Sequence, residues 1–358
     1  MKINFILPRL ALRPVGGYKV IYQYANELSI RGHQVTVVHS ASSPYKKFFV
    51  SHAHWLVANV ILFFKRNWIL RWFLLHEDVK LVIVPYLNEL FLPNADATVL
   101  TSWETSELLG NLPGKFGTLF QIVYDYKFWM SQDENRFRIE ESLLNNDIKH
   151  IATSSVVEKM LMSIGVEYEI TIRAGLSEHD FFFEPGLKSK QPLILFPART
   201  NSTKGLSTAV EAMKIIHSEN PEVKIECFGS GKIRNIPQFI KIHRNLSDVE
   251  LRNLYNRASI FVFPSTFEGF GLPALEAMSC GCVVVSTKCG GIDDFLKDGI
   301  NSLLVAVNDP ISMASAIARL LSDNHLCTQL RSESLLESST FRLKLTVDSL
   351  ERYVVESL

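Results

Sequence analysis

Two carboxylates flank a glycine-rich turn that could bind a sugar attached to a nucleotide. The stretch runs from Glu268 to Glu276 and reads EGFGLPALE. Pro273 fits the first turn of a helix, where its missing N–H costs nothing, so Glu276 is expected on that turn. A helix N-terminus offers unpaired N–H groups and partial positive charge to phosphate or sugar oxygens, and Gly269 and Gly271 allow close backbone approach.

The glutamate spacing, with Cys280-Gly281 and Gly290-Gly291 downstream, closely resembles the group 1 (family 4) glycosyltransferases, retaining enzymes of the GT-B fold. The resemblance spans nearly the whole chain. It implies that Glu268 lies by the donor sugar and that Glu276 hydrogen-bonds the ribose of the nucleotide. The alternative is that Glu276 only complements a helix dipole and that Glu268 is a solvated loop residue. The donor-binding residues expected in this motif are Gly269, Phe270, Gly271, Leu272 and Glu276.

Two cations, Arg199 and Lys204, lie in a loop between a strand and a helix and match the diphosphate-binding Arg and Lys of the family. Negative charge develops on the diphosphate as the sugar leaves, and fixed cations stabilise it without a metal. No DxD-type motif is evident, so we expect a metal-independent enzyme with no cofactor beyond the nucleotide diphosphate-sugar co-substrate. Two solvated cations in a polar loop are the alternative.

Two further glycine turns are candidates for donor contacts. Gly229 and Gly231 end a strand, where the backbone could approach a base or phosphate, although a plain strand-to-helix turn is equally consistent. Gly16 and Gly17 follow the first strand and precede a helix. The resemblance implies that this pair touches the donor's phosphate or sugar, with an ordinary turn as the alternative.

Asp125 is the candidate beside the reacting carbon, because family members often place a polar residue near this strand end. Some relatives, including rhamnosyltransferase-like members, read Gln-Asp-Tyr-Glu where this chain has Tyr-Asp-Tyr-Lys at 124–127. Because of this difference, the resemblance does not identify the donor or the acceptor. The resemblance implies that the acceptor attacks the donor sugar on the same face from which the phosphate leaves. A double displacement is the usual alternative.

The length, the composition and the alternation of strand-like and helix-like segments predict two α/β domains. The chain has 358 residues, 47% of them hydrophobic, enough for two cores, and 37 basic side chains balance 37 acidic ones, which gives no reason to expect a nucleic-acid partner. Short apolar runs alternate with amphipathic helical stretches, a pattern of parallel sheets wrapped by helices. The predicted strands are Lys2–Leu7, Gln34–Val38, Leu81–Val84, Leu119–Val123, Ile151–Thr153, Leu193–Phe196, Val223–Phe228, Ser259–Phe263 and Val283–Ser286.

We therefore predict two doubly wound Rossmann-like domains facing across a cleft. Residues 1–186 would form the acceptor-binding domain and 187–340 the nucleotide-sugar-binding domain, separated by a polar linker rich in Pro, Gly and Lys. Residues 341–358 carry a helical apolar stripe and, by analogy with the family, cross back onto the first domain.

The five cysteines show no metal-binding spacing, and the short apolar run before Pro8 is not a signal peptide, so a cytoplasmic protein is expected.

Residues 45–75 combine apolar bulk, tryptophans and only positive charge. Lys65, Arg66 and Arg71 interrupt any spanning run, which would need roughly 20 apolar residues. The segment could lie in the membrane interface with Trp55, Trp68 and Trp72 at headgroup depth, making the protein peripheral on the inner face of the membrane. An amphipathic helix pair that packs in the core and exposes a basic side is equally consistent.

Three functions fit these observations. The first is a hexosyl-type glycosyltransferase that moves a sugar to a hydroxyl of a surface glycan or lipid-linked saccharide. The second is a nucleotide-sugar epimerase or hydrolase of the same architecture, and the third is a catalytically silent sugar-nucleotide-binding partner subunit. The third is disfavoured because both glutamates and both cations occur together.

Overall fold

The structure is a computed structural model that describes residues 1–41, 48–64, 70, 72–124, 133–231 and 233–358. The chain divides into two compact units. Unit 1 comprises Met1–Ala174 and Leu343–Leu358, and unit 2 comprises Gly175–Arg342.

Unit 1 is built on a parallel sheet with the strand order β3-β2-β1-β4-β5-β6-β7. Its three longest strands are buried along almost their whole length, as expected where helices cover both faces of a parallel sheet. The strands are β1 Lys2–Leu7, β2 Gln34–Ser40, β3 Lys80–Val84, β4 Ala97–Leu100, β5 Thr118–Val123, β6 Ile148–Ala152 and β7 Ile170–Thr171. The helices are α1 Gly16–Ile30, α2 Phe48–Phe64, α3 Trp103–Leu109, α4 Asp133–Leu143, α5 Ser155–Ser163 and α11 Leu343–Glu356.

Unit 2 repeats the design with the strand order β10-β9-β8-β11-β12-β13, again all parallel. Its core joins the inward side chains of these strands to the apolar faces of α6 and α9. The strands are β8 Leu193–Pro197, β9 Lys224–Gly229, β10 Ile240–Arg244, β11 Ile260–Phe263, β12 Val283–Thr287 and β13 Ser302–Val305. The helices are α6 Leu206–Glu219, α7 Asp248–Arg257, α8 Leu272–Ser279, α9 Pro310–Ser322 and α10 Asn324–Ser338.

The predicted fold class is confirmed, and every predicted strand is present with ends shifted by a few residues at most. Four strands were not predicted: β4, β7, β10 and β13. β4 and β13 have four residues each, and β7 has two. β10 is an edge strand that contains the polar residues Lys241, His243 and Arg244.

Unit 2 begins before the predicted boundary at 186/187, because the segment after Ala174 packs against α7. The Asn256 side chain donates to the Phe182 carbonyl at 2.9 Å and accepts from the Glu184 N–H at 2.7 Å. The Arg252 guanidinium lies 4.3 Å from the centroid of the Phe182 ring. These contacts make residues 175–186 part of unit 2.

The last helix, α11, belongs to unit 1. Arg31 at the end of α1 forms ion pairs with Glu351 at 2.6 Å and Asp348 at 2.7 Å. Thr346 donates to the Arg173 carbonyl at 3.0 Å. The buried face of α11 consists of Leu343, Thr346, Val347, Leu350 and Val354, which is most of the stripe predicted from the sequence.

Candidate functional site

The candidate site of unit 2 lies at the carboxyl ends of β8 and β11, adjacent strands from which the sheet order runs outward in opposite directions. Ligands of open α/β sheets bind outside the strand ends at such a switch point. The two loops are held together, since the Thr266 N–H donates to the Thr203 carbonyl at 2.8 Å. Gly205 has a φ of 61°, and a Cβ on it would lie 1.8 Å from the Pro264 carbonyl oxygen, so only glycine fits there.

These loops bring Lys204 and Glu268 together. The ammonium lies 3.0 Å from Oε2 of Glu268, and the Ser265 hydroxyl donates to Oε1 at 2.7 Å. Glu268 is 8% exposed. Its N–H donates to the Cys289 carbonyl at 2.8 Å, and its own carbonyl accepts from the Gly291 N–H at 2.9 Å. The carboxylate is therefore fixed on both oxygens and through its backbone.

The glycine-rich turn leads into α8 as predicted, but the helix begins at Leu272, one residue before Pro273. Gly271 has a φ of 98°, and no side chain caps the helix N-terminus. Glu276 was expected on the first turn, and that detail was wrong: it is the fifth helical residue. The Phe270 ring is buried against Phe295 and Phe341, so only its backbone is available to a ligand.

Glu276 receives a hydrogen bond from a buried tyrosine. The Tyr255 hydroxyl, on α7, donates to Oε2 of Glu276 at 3.2 Å. Burial, with the Glu276 charge as a second cause, raises the pKa of Tyr255 well above its usual value. The phenol therefore remains a protonated donor at physiological pH.

The remaining predicted residues of unit 2 lie near the same strand ends. Arg199 is exposed in the loop after β8. Gly229 ends β9, where a Cβ would lie 2.5 Å from the Ala198 carbonyl oxygen, so it packs against the strand end that carries Arg199. A Cβ on Gly231 would meet no atom within 4 Å.

In unit 1, Gly16 and Gly17 are the first residues of α1, and no side chain caps that end. A Cβ on either would meet no atom within 4 Å, so the packing of the chain itself does not require glycine here. The first turns of α1 rest on a buried aromatic cluster in which His39 bridges the Tyr22 hydroxyl and the Arg9 carbonyl, both at 3.1 Å.

Because a carbonyl can only accept, Nδ1 of His39 donates to Arg9 and Nε2 accepts from Tyr22. Burial lowers the pKa of His39 to about 4, which agrees with a neutral ring. Asp125, the candidate beside the reacting carbon, lies outside the described residues.

Over the part of the chain that the structure describes, no group of three or more His, Cys, Asp and Glu side chains is placed to hold a metal ion. No described helix is long and apolar enough to cross a membrane. Residues 42–47, 65–69, 71, 125–132 and 232 lie outside the described part of the chain.

The sequence prediction missed Ser265 and Tyr255, which fix the two carboxylates. Ser265 directly follows the buried strand β11 and Pro264, and a hydroxyl three positions before a glutamate is a signal that could have been used. Tyr255 lies on another helix, and only the packing of α7 on α8 reveals its contact.

The two Rossmann-like domains have the GT-B fold. Residues 177–335 match the family model described as "Glycosyl transferases group 1". This match lies within unit 2, whereas the resemblance was expected to span nearly the whole chain.

Two curated relatives align with part of the chain. An uncharacterized glycosyltransferase of Methanocaldococcus jannaschii is 32% identical over 149 residues, which is 38% of this chain and 38% of that protein. A D-inositol 3-phosphate glycosyltransferase of Paenarthrobacter aurescens is 33% identical over 144 residues, 36% and 35% of the two chains. The chain thus spans little more than a third of the length of these relatives.

The similarity in structure covers the whole chain. The crystal structure of Anabaena HepE in complex with UDP and glucose aligns over 100% of both chains with a TM-score of 0.76 and 17% sequence identity. At that identity the alignment shows the fold.

Proposed function

We propose that the protein is a hexosyl-type glycosyltransferase that moves a sugar from a nucleotide diphosphate-sugar to a hydroxyl of a surface glycan or lipid-linked saccharide, retaining the anomeric configuration and using no metal ion. The observation that carries the proposal is the set of charges at the switch point of unit 2: Lys204 paired with Glu268, exposed Arg199, and Glu276 held by Tyr255. The group 1 match over this unit supports it.

Each charge has a chemical task in the proposed reaction. Arg199 and Lys204 stabilise the negative charge that develops on the diphosphate as the glycosidic bond breaks. Glu268 lies by the donor sugar, and Glu276 accepts a hydrogen bond from the ribose. Backbone N–H groups at the start of α8, from Gly269 to Leu272, face the phosphate or sugar oxygens. The roles of Gly16, Gly17, Gly229, Gly231 and Asp125 stay predictions.

The test is a thermal-shift panel of UDP-, GDP-, ADP- and dTDP-sugars, with UDP-sugars first because a structural neighbour was solved with UDP. A donor that binds the folded state raises the melting temperature by mass action. We expect one nucleotide to stabilise the wild type and Glu276→Ala to weaken that shift. Glu222→Ala, an exposed glutamate just before the start of β9, is the matched control and should bind like the wild type.

The stabilising donor is then incubated with saccharide acceptors and with inositol phosphate, and NMR of the product reads the anomeric configuration. Transfer with retention, undiminished by EDTA, is the expected result. Sugar release or epimerisation without acceptor would establish the hydrolase or epimerase instead. Binding without turnover across the panel would favour the silent partner, and an inverted product would contradict the retaining mechanism.

An exposed apolar face on unit 1, which we propose contacts a membrane, supports a lipid-linked acceptor. On α2, the Trp55 indole donates to the Ile83 carbonyl at 2.9 Å, so this ring is anchored in the protein rather than free for lipid headgroups. The other side of the helix exposes Leu56, Val57 and Val60 at 59%, 60% and 49%.

The sequence contains no acidic residue between Glu27 and Glu77, while Lys46, Lys47, Lys65, Arg66 and Arg71 flank α2. These five cations lie outside the described residues. An apolar helix face in such a segment fits an anionic bilayer.

Sedimentation with phosphatidylglycerol vesicles tests this surface. We expect the wild type to bind and the double substitution Leu56→Ser, Val57→Ser to bind at least tenfold more weakly. Leu336→Ser, which removes an equally exposed leucine from unit 2, is the control. Equal binding to phosphatidylcholine vesicles, or an unaffected double variant, would refute the surface.

A further inference from the structure

The ring of Tyr255 is held rigidly in the core of unit 2. It is fully buried and packs edge-on against Phe181, Phe228 and Phe261, with ring centroids 6.0, 5.6 and 5.3 Å away. Aromatic pairs at these separations favour this geometry. Three rings on different parts of unit 2 therefore fix where the phenolic oxygen lies.

That oxygen reaches Oε2 of Glu276, the carboxylate proposed to accept from the ribose. A buried tyrosine hydroxyl normally has a hydrogen-bonding partner, and a bond to an ionised carboxylate is stronger than one between neutral groups. Phenylalanine would fill the same aromatic pocket equally well. The hydroxyl is thus the part of Tyr255 that packing alone does not explain.

We propose that Tyr255 is a positioning residue for nucleotide recognition. Its hydroxyl holds one oxygen of Glu276, which orients the carboxylate so that it accepts hydrogen bonds from the ribose diol, and it thereby sets the preference for ribonucleotides over deoxyribonucleotides. This inference rests on the proposed donor-binding role of Glu276. A site that orients a charged hydrogen-bond acceptor, here a carboxylate, toward a ligand hydroxyl discriminates against analogues that lack the hydroxyl. With such an analogue the carboxylate is left without a hydrogen-bond donor.

The test measures dissociation constants by calorimetry for UDP, GDP and ADP and for their 2′- and 3′-deoxy forms. For the nucleotide that binds best, the wild type should prefer the ribose form over at least one deoxy form by about tenfold or more, the range for one hydrogen bond to a charged group. Tyr255→Phe should weaken binding of the ribose form by about tenfold, leave the deoxy form unchanged, and so abolish most of the preference.

Two variants separate this inference from the proposed function. Glu276→Ala should remove the preference entirely. If that variant keeps it, or if no nucleotide binds the wild type, the proposed role of Glu276 fails and the inference with it. If Glu276→Ala loses the preference while Tyr255→Phe keeps it, the ribose role stands and the positioning role of Tyr255 is overturned.

Tyr353→Phe is the matched control, because its hydroxyl also donates to a glutamate, Glu169, at 2.8 Å, but within unit 1. It should bind all nucleotides like the wild type. Tyr255→Leu removes the ring as well and should show the same lost preference with a lower melting temperature. A merely structural role for Tyr255 would lower stability in these variants without changing the ratio of ribose to deoxyribose affinities.

Discussion

The contribution of the ion pair between Lys204 and Glu268 to stability can be separated from the role proposed for it in the reaction. Their side chains are 20% and 10% exposed. Exposed pairs contribute roughly 0.2–1 kcal/mol, and removing one partner of a fully buried pair costs roughly 3–5 kcal/mol. For a pair of this intermediate burial we expect Lys204→Met to lower the free energy of unfolding of unit 2 by about 2 kcal/mol, because among the described residues Glu268 would keep only Ser265 as a side-chain partner.

Glu268→Gln should cost less, about 1 kcal/mol, since the amide oxygen can still accept from Ser265 and Lys204 can turn toward solvent. The double variant should be more stable than the sum of the single losses predicts, by about 1–2 kcal/mol. Transfer activity should be lost in all three variants. The double variant restores the charge balance, but it does not restore the side chains proposed to act on the donor.

The assay must report on unit 2 alone. All five tryptophans lie in unit 1, so tryptophan fluorescence during urea unfolding reports on that unit and should be unchanged. Hydrogen exchange of the amides in β8 and β11 reports on unit 2. The control is the exposed pair of Lys214 and Glu211 on α6, where the same cycle should give a coupling below about 0.5 kcal/mol. Strictly additive losses for the site pair would refute the reasoning.

Three further perturbations have defined outcomes. Gly205→Ala should lower the free energy of unfolding of unit 2 by about 3 kcal/mol or more, measured by hydrogen exchange, because its Cβ would meet the Pro264 carbonyl oxygen; Gly16→Ala, in open space, should leave unit 1 nearly as stable. Burial lowers the pKa of both His39 and His150 to about 4, so the unfolded chain binds more protons below about pH 6.5. Fluorescence-monitored urea unfolding should therefore show unit 1 losing about 1.6 kcal/mol per histidine between about pH 6.5 and pH 5, and a flat profile would contradict this. EDTA should leave transfer activity within twofold, and restoration by Mg²⁺ of an EDTA-inhibited enzyme would contradict metal independence.

The sequence predicted the fold well where local signals repeat. Strands such as β1, β2 and β12 are rich in apolar or β-branched residues and are buried along almost their whole length. The glycine-rich turn leads into α8 as predicted. The short strands β4 and β7 carry too few residues for a period to appear. Their pairing follows from the neighbouring strands, which are distant in the chain.

The candidate site divides in the same way. Glu268, Glu276, Arg199 and Lys204 were predicted from the resemblance to the group 1 glycosyltransferases, and the structure places all four in unit 2, with Lys204 and Glu268 in direct contact. The contact of Tyr255 with Glu276 depends on how α7 packs on α8, which no local pattern encodes. The residues proposed to act directly on the donor thus left a signal in the sequence, and the residue proposed to orient one of them through tertiary packing did not.

The charged side chains of unit 2 also indicate how the proposed donor would bind. Lys204 is already paired with Glu268, and Thr266 fixes its loop to the neighbouring one, so its ammonium is held in place before any diphosphate arrives. Little reorganisation is then needed when charge develops on the leaving group, and preorganised charges of this kind are the largest electrostatic contribution to many catalysed reactions. Arg199 is exposed, so its more mobile guanidinium must be ordered by the donor itself. Substitution of Arg199 should therefore raise KM more than it lowers kcat, and substitution of Lys204 should mainly lower kcat.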